Sequence, residues 1–143
     1  IEAIHARLPN THLVMHGSSS VPQDLQERFN AAGGAMPQTW GVPVAEIVRG
    51  IKHGVRKINI DTDCRLAMAA AMRAVAQKNA AEFDPRKFLQ PARDAMRMLC
   101  RQRFEDFGAA GKAARIKTVG LADMAKRYRS DQLDPRIAGA RAA

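Results

Sequence analysis

His16 closes the apolar run Leu13-Val14-Met15 and is followed at once by Gly17-Ser18-Ser19-Ser20. A neutral imidazole is a common zinc ligand. Taken alone, the residue also reads as a hydrogen-bonded histidine at a strand end. Glycine lets the backbone approach an anion closely, and serine hydroxyls with free amides at a helix start can hold a phosphate. The same residues also make a well-capped turn. A second polar cluster, Asn59, Asp61, Thr62 and Asp63, ends a second apolar run that starts at Val55. Extended backbone would project Asn59 and Asp61 to one side. The amides after Asp61 begin a helix and offer a second anion site, or Asp61 or Thr62 simply caps that helix. Arg86 follows Asp84-Pro85. A loop arginine held by a proline suits bidentate phosphate recognition, and pairing on the surface with Glu82 or Asp84 is the plainer reading. Arg93, Arg97 and Arg101 form a solvated stripe, and His5, His12 and His53 read as structural or exposed.

These residues need elements that bring them together. The two apolar runs predict buried parallel strands over His12–Met15 and Val55–Ile60, each opening at its C-terminal end into a polar loop. Open α/β sheets and (β/α) barrels carry their active sites at that edge. Residues 1–8 predict the tail of an amphipathic helix. A helix is expected from Ser20, with Gln23 at capping-box spacing and Gly33-Gly34 as its end. Residues 34–42, which hold the single tryptophan Trp40, predict a loop. Pro43 suits the first turn of the next helix, Val44, Ile47, Val48 and Ile51 repeat at helical spacing, and Gly54 is its expected cap. Between adjacent parallel strands this connection would be a right-handed crossover. Further helices are predicted from Asp63 to about Asn79, from Lys87 to Phe107 and from Leu121 to Tyr128. Residues from Asp134 onward are expected to fray. The organisation expected is 1–80 as barrel-type βα units and 81–143 as a helical extension.

Composition narrows the function classes. The net charge of +9 comes from 23 Lys+Arg against 14 Asp+Glu, yet only 5% of residues are aromatic and the basic residues are dispersed. Direct nucleic-acid binding is therefore not expected. No apolar run approaches the ~18 residues of a membrane span. Cys64 and Cys100 lack metal-type spacing and read as buried thiols in a reducing cytoplasm. The chain opens as a helix already under way, which reads as a C-terminal fragment. Two strands fall well short of the about 250 residues of a closed barrel, so low autonomous stability is expected.

The combination His12-Leu13-Val14-Met15-His16-Gly17-Ser18-Ser19-Ser20-Val21-Pro22, then Gln38-Thr39-Trp40-Gly41-Val42-Pro43, then Gly54-Val55-Arg56-Lys57-Ile58-Asn59-Ile60-Asp61-Thr62-Asp63, then Glu82-Phe83-Asp84-Pro85-Arg86-Lys87-Phe88-Leu89 resembles class II, zinc-dependent fructose-1,6-bisphosphate aldolases, nearest to the Calvin-cycle type. The resemblance runs from Ile4 to Ile137. It implies an α/β fold, the last two strands of a (β/α)₈ TIM barrel plus a helical extension at a subunit interface. It implies reversible cleavage of fructose 1,6-bisphosphate to dihydroxyacetone phosphate and glyceraldehyde 3-phosphate through a zinc-stabilised enediolate. Tagatose and sedoheptulose bisphosphates are alternative substrates, and a non-catalytic phosphate-binding or oligomerising remnant is the alternative function. By the resemblance His16 is one of three zinc histidines. Gly17, Ser18 and Ser19 belong to the triose-phosphate pocket, Asn59 contacts the triose, and Asp61 and Thr62 hold its phosphate. Arg86 would reach the other phosphate in a neighbouring subunit. The implied cofactor is zinc, with a monovalent cation as a second ion, and the implied assembly is a homodimer or homotetramer of the full-length enzyme. The catalytic aspartate and the other zinc histidines of the family match nothing in this chain, so these 143 residues alone are expected to be inactive.

Overall fold

The computed structural model describes residues 1–139. In order these form α1 (Glu2–Arg7), β1 (Leu13–Met15), α2 (Gln23–Ala31), α3 (Val44–Lys52), β2 (Val55–Ile58), α4 (Thr62–Lys78), α5 (Pro85–Asp106), a 3₁₀ turn (Ala113–Arg115) and α6 (Leu121–Arg129). The strands pair in parallel, Leu13 opposite Val55, Val14 opposite Lys57 and Met15 opposite Ile58, with a register shift between Leu13 and Val14. The ladder runs one residue past β2, because the Asn59 amide donates to the Met15 carbonyl at 3.0 Å. Parallel pairing puts both C-terminal strand ends at one edge, so His16 and Asn59 emerge side by side. The fold is α/β, with a small parallel sheet.

The core is small. Ile47 of α3 and Val55 of β2 are buried, and α3 packs on β2. Helix α4 packs against α5 and α2, burying Leu66, Ala67 and Ala70, with Ala92 buried on α5. Short side chains at such crossings let helix axes approach closely. α5 starts two residues before the predicted Lys87. Asp84 caps it, its carboxylate accepting the Arg86 amide at 2.9 Å, and Pro85 occupies the first turn, where its missing N–H costs nothing.

Several expectations are corrected. The strands are shorter than predicted and only partly buried: Val55 is buried, but Val14, Arg56 and Lys57 are exposed. Only two strands pair among the described residues, so neither has a neighbour on its outer side. Ser20 does not open a helix. Helix α2 begins at Gln23 behind Pro22 with no side-chain cap, because the Ser20 amide and hydroxyl are taken by Asp63. Gln23 instead donates to the Val21 and Thr39 carbonyls. Pro43 sits at the N-cap of α3 rather than inside its first turn. On α5, the apolar face expected to pack is half open, with Leu89, Met96 and Phe104 exposed. The described part of the expected fraying tail, up to residue 138, hydrogen-bonds back to the start of the chain: Asn10 donates to the Asp134 carbonyl and accepts the Arg136 amide, and the Ala138 amide donates to the Arg7 carbonyl. Residues 140–143 of the expected extension lie outside the described residues.

The accessible surface is 10634 Å², against about 7,300 Å² for a compact monomer of this mass. Phe83 and Leu121 are each 91% exposed. No helix among the described residues is long and apolar enough to cross a membrane.

The two cysteines are half-buried rather than buried, and both are free. They line the same small cavity at the α4–α5 contact. Burial, then the Cys100 thiol and the carboxylates of Asp63 and Asp61, push the Cys64 thiol up to about 11. Below that value the thiol keeps its proton and is a poor nucleophile. In the folded protein at pH 7.5, iodoacetamide is expected to alkylate Cys64 about 100-fold more slowly than a free thiol. Peptide mass spectrometry checks this, and alkylation at the free-thiol rate would contradict it.

Candidate active site at the sheet edge

The loop after β1 and the start of α4 interlock. Gly17 has φ +62°, and a Cβ there would meet nothing within 4 Å, so the demand is on backbone conformation rather than space. The Ser18 hydroxyl is buried between the Met15 and Asn59 carbonyls, at 3.0 and 2.9 Å. It ties the two strand ends together rather than facing the open edge. Ser19 points the other way. Its hydroxyl oxygen accepts both the Asp61 amide at 3.2 Å and the Thr62 amide at 3.1 Å. These are the first amides of a 17-residue helix, and the free N–H groups and dipole at such an end favour an oxygen anion.

His16 and Asn59 meet at 3.0 Å, through His16 Nδ1 and Asn59 Nδ2. Lys57 Nζ donates to Asn59 Oδ1, which turns the NH₂ of the amide toward the histidine. The Asn59 orientation makes Nδ1 the acceptor, so Nε2 carries the proton of the neutral ring. The Asp61 carboxylate is drawn away by Arg65, at 2.7 Å. It makes no side-chain cap for α4, so at the anion position Asp61 offers its amide and not its acid. Thr62 opens α4 with an exposed side chain.

Arg86 is not joined to this cluster. Its guanidinium wraps the Asp84 carboxylate at 2.6 to 2.9 Å, the surface pairing foreseen as the plainer reading. That pairing, with the Arg86 amide, holds the Asp84 carboxyl below the usual carboxylate range. The α5 cap it forms is therefore kept above the ordinary carboxylate range of about pH 4 and lost only as pH falls through the depressed value. Glu82 caps the Phe83 and Asp84 amides instead. Arg97 and Arg101 make exposed pairs with Asp94 and Glu105, as a solvated stripe should.

Three residues outside the predicted set hold the site's shape. Asp63 is fully buried, and its carboxylate accepts the Ser20 amide at 3.1 Å, the Ser20 hydroxyl at 2.7 Å and the Val21 amide at 2.8 Å. Val21 has φ +48°, a left-handed conformation that a β-branched residue adopts only when its surroundings impose it. The Asp63 bond to its amide and its own burial do so. Arg103 of α5 reaches the same place, Nη2 lying 2.8 Å from the Ser20 hydroxyl and 3.4 Å from Asp63. Gly41 lies flat on the loop, and the neighbouring Val42 amide donates to the Ser19 carbonyl at 3.0 Å. The one available sequence signal was the second acid of the Asp61–Asp63 cluster.

His16 has no second histidine beside it at this edge among the described residues, and the Asp61 carboxylate is paired with Arg65. Among the described residues no group of three or more His, Cys, Asp or Glu side chains could hold a metal ion. The residues present therefore do not by themselves fit a zinc centre.

The sequence profile of the family described as "Fructose-bisphosphate aldolase class-II" matches residues 1–112. "Fructose-bisphosphate aldolase 2" of Cereibacter sphaeroides is 67% identical over 138 residues, which is 96% of this chain and 39% of that protein. "Fructose-bisphosphate aldolase" of Sinorhizobium medicae (strain WSM419) is 64% identical over all 143 residues, 40% of its length. The protein of the same name from Nostoc commune is 57% identical over 134 residues, 94% of this chain and 37% of its own. The chain thus spans about two fifths of the length of the curated relatives it matches.

Proposed function

Because the chain belongs to the class-II fructose-bisphosphate aldolase family, a family of lyases acting in carbohydrate metabolism, we propose that its sheet edge is the phosphate-binding side of an aldolase site. The reaction is reversible cleavage of fructose 1,6-bisphosphate into dihydroxyacetone phosphate and glyceraldehyde 3-phosphate. The observation that carries this reading is the convergence of the Asp61 and Thr62 amides on one oxygen, the Ser19 hydroxyl. A phosphate oxygen accepts the same two amides, and the Ser19 hydroxyl then donates to the phosphate instead of accepting.

In this reading Gly17 lets the loop turn beneath the phosphate, and Ser19, Asp61 and Thr62 bind it, Asp61 through its amide. Ser18 contributes by clamping the two strand ends. Asn59 lies beside His16 and donates to a triose oxygen. His16 would supply Nδ1 to a divalent zinc once the Asn59 amide turns to the triose, the other ligands coming from outside the described residues, and the metal would stabilise negative charge on the substrate oxygens. Arg86 leaves Asp84 to meet the second phosphate in a neighbouring subunit. Held at its phosphate, the substrate presents its reacting bond in a fixed orientation, so remote binding is converted into rate. The fold proposed for the whole is a (β/α)₈ barrel, with 1–80 as its last two βα units. The open apolar surface of 81–143 then belongs to the interface of a cytoplasmic homodimer or homotetramer.

The test is a full-length chimera in which these 143 residues replace the matched 40% of the Sinorhizobium medicae relative. It is expected to cleave fructose 1,6-bisphosphate in a coupled assay, while the 143 residues alone are not. Ser19→Ala in the chimera is expected to lower kcat/KM by roughly 10- to 100-fold, the value of a hydrogen bond to a charged group. A chimera that melts cooperatively but neither cleaves the sugar bisphosphate nor binds phosphate would sink the reading.

A further inference from the structure

We infer that Asp63 and Arg103 are positioning residues for the phosphate loop, so that helix α5 sets how tightly the site holds phosphate. The inference rests on the phosphate reading above and asks what keeps Ser19 in place.

Ser19 is held on three sides. Ser18 before it is locked by its buried hydroxyl. The Ser19 carbonyl is occupied by the Val42 amide. Ser20 after it is locked by Asp63, through both amide and hydroxyl. What remains free to meet a ligand is the Ser19 hydroxyl and the two α4 amides it now satisfies. Asp63 lies in the first turn of that same helix, one residue beyond Thr62. Its carboxylate therefore couples the loop to the helix end it must face, at the closest spacing the backbone permits.

Arg103 extends the link to α5. The Ser20 hydroxyl donates to Asp63 at 2.7 Å and accepts from Arg103 Nη2 at 2.8 Å, so the three side chains form one directed chain. Arg103 Nη1 is held by Asp106 at 2.9 Å. The Arg103 side chain is only 14% exposed, and its Nε is buried without a partner in the structure. Stability alone would be served as well if the buried Asp63–Arg103 pair as a whole were replaced by well-packed apolar side chains. A buried guanidinium that leaves one nitrogen unsatisfied is better explained by what its other nitrogens organise. Preorganised donors bind an anion without reordering when it arrives, and Arg103 supports that order from a helix 83 residues along the chain from Ser20.

The experiment uses the full-length aldolase carrying this segment, with Arg103→Gln, Arg103→Lys and Ser20→Ala. Readouts are KM and kcat for fructose 1,6-bisphosphate, the inhibition constant of inorganic phosphate, and the melting temperature. Arg103→Gln is expected to raise KM and the phosphate inhibition constant together by roughly 10-fold, with a much smaller change in kcat. Arg103→Lys is expected to fall between, since an ammonium replaces the charge but not the fork. Ser20→Ala, which removes only the middle of the chain, should move both constants the same way. A lowered melting temperature with KM and phosphate inhibition unchanged would make Arg103 merely structural and overturn the inference. If Arg103→Gln does not fold, Ser20→Ala decides: unchanged phosphate inhibition overturns it. Failure of the underlying phosphate reading looks different, because the unsubstituted protein would then resist phosphate and Ser19→Ala would change nothing.

Discussion

Asp63→Asn in the full-length enzyme is expected to lower the melting temperature by on the order of 5 °C. The carboxylate is fully buried and accepts three hydrogen bonds from Ser20 and Val21, with Arg103 at 3.4 Å. Asparagine matches it in size, but one of its two polar atoms is a donor. Placed among donors from Ser20, Val21 and Arg103, that NH₂ faces hydrogen where it needs oxygen. The substitution also removes the buried negative charge beside Arg103, and breaking one side of such a pair costs about 3–5 kcal/mol. In a chain of the relatives' length, each kcal/mol moves the midpoint by roughly 1–2 °C. The left-handed backbone at Val21 loses its anchor at the same time, so phosphate affinity should fall with stability. Thermal melts followed by circular dichroism measure the effect. A midpoint equal to the parent's would mean that Ser20, Val21 and Arg103 satisfy one another without the acid.

Gly41→Ala carries the second large effect, and here the loss falls on activity. A Cβ on Gly41 would lie 2.0 Å from the Ser19 carbonyl oxygen and 2.6 Å from the Ser20 carbonyl carbon. Both are backbone atoms, so no side-chain rotation relieves the clash and one strand of chain must move. The neighbouring Val42–Ser19 hydrogen bond is strained by the same displacement. Overpacking of this kind costs about 1–3 kcal/mol. The more telling consequence is the shift of Ser19, because misplacing a binding group by about 1 Å can reduce kcat/KM on the order of 100-fold. Steady-state kinetics of the purified variant test this, and kcat/KM at the parent value would show that the 34–42 loop moves freely away from the serines.

These two residues mark the limit of what the sequence tells. Helix and strand placement, the loop around Trp40, and the grouping of His16, Ser19, Asn59, Asp61 and Thr62 at one edge all follow from local patterns and from the parallel pairing of two apolar runs. The motifs also sufficed to name the family. The roles within those motifs were not legible. Ser18 and Ser19 are identical neighbours, yet one is buried against strand carbonyls and the other faces the open edge. Asp61 and Asp63 are both acids at the start of α4, but two helical steps turn them about 200° apart. The packing of α4 on α2 and α5 decides that Asp63 points inward while Asp61 pairs with Arg65 in solvent. Arg93, Arg97, Arg101 and Arg103 share one helix, and only Arg103 lies over the serine loop.

Periodicity, caps and strand-end motifs are short-range, so the amino-acid sequence by itself determined the elements and the list of chemically capable residues. Which of those residues are open at the sheet edge, which tie the strand ends together and which hold the serine loop was decided by contacts between segments 43 and 83 residues apart. Those contacts depend on how the helices roll and seat against one another, a property of the packed whole that no local pattern encodes.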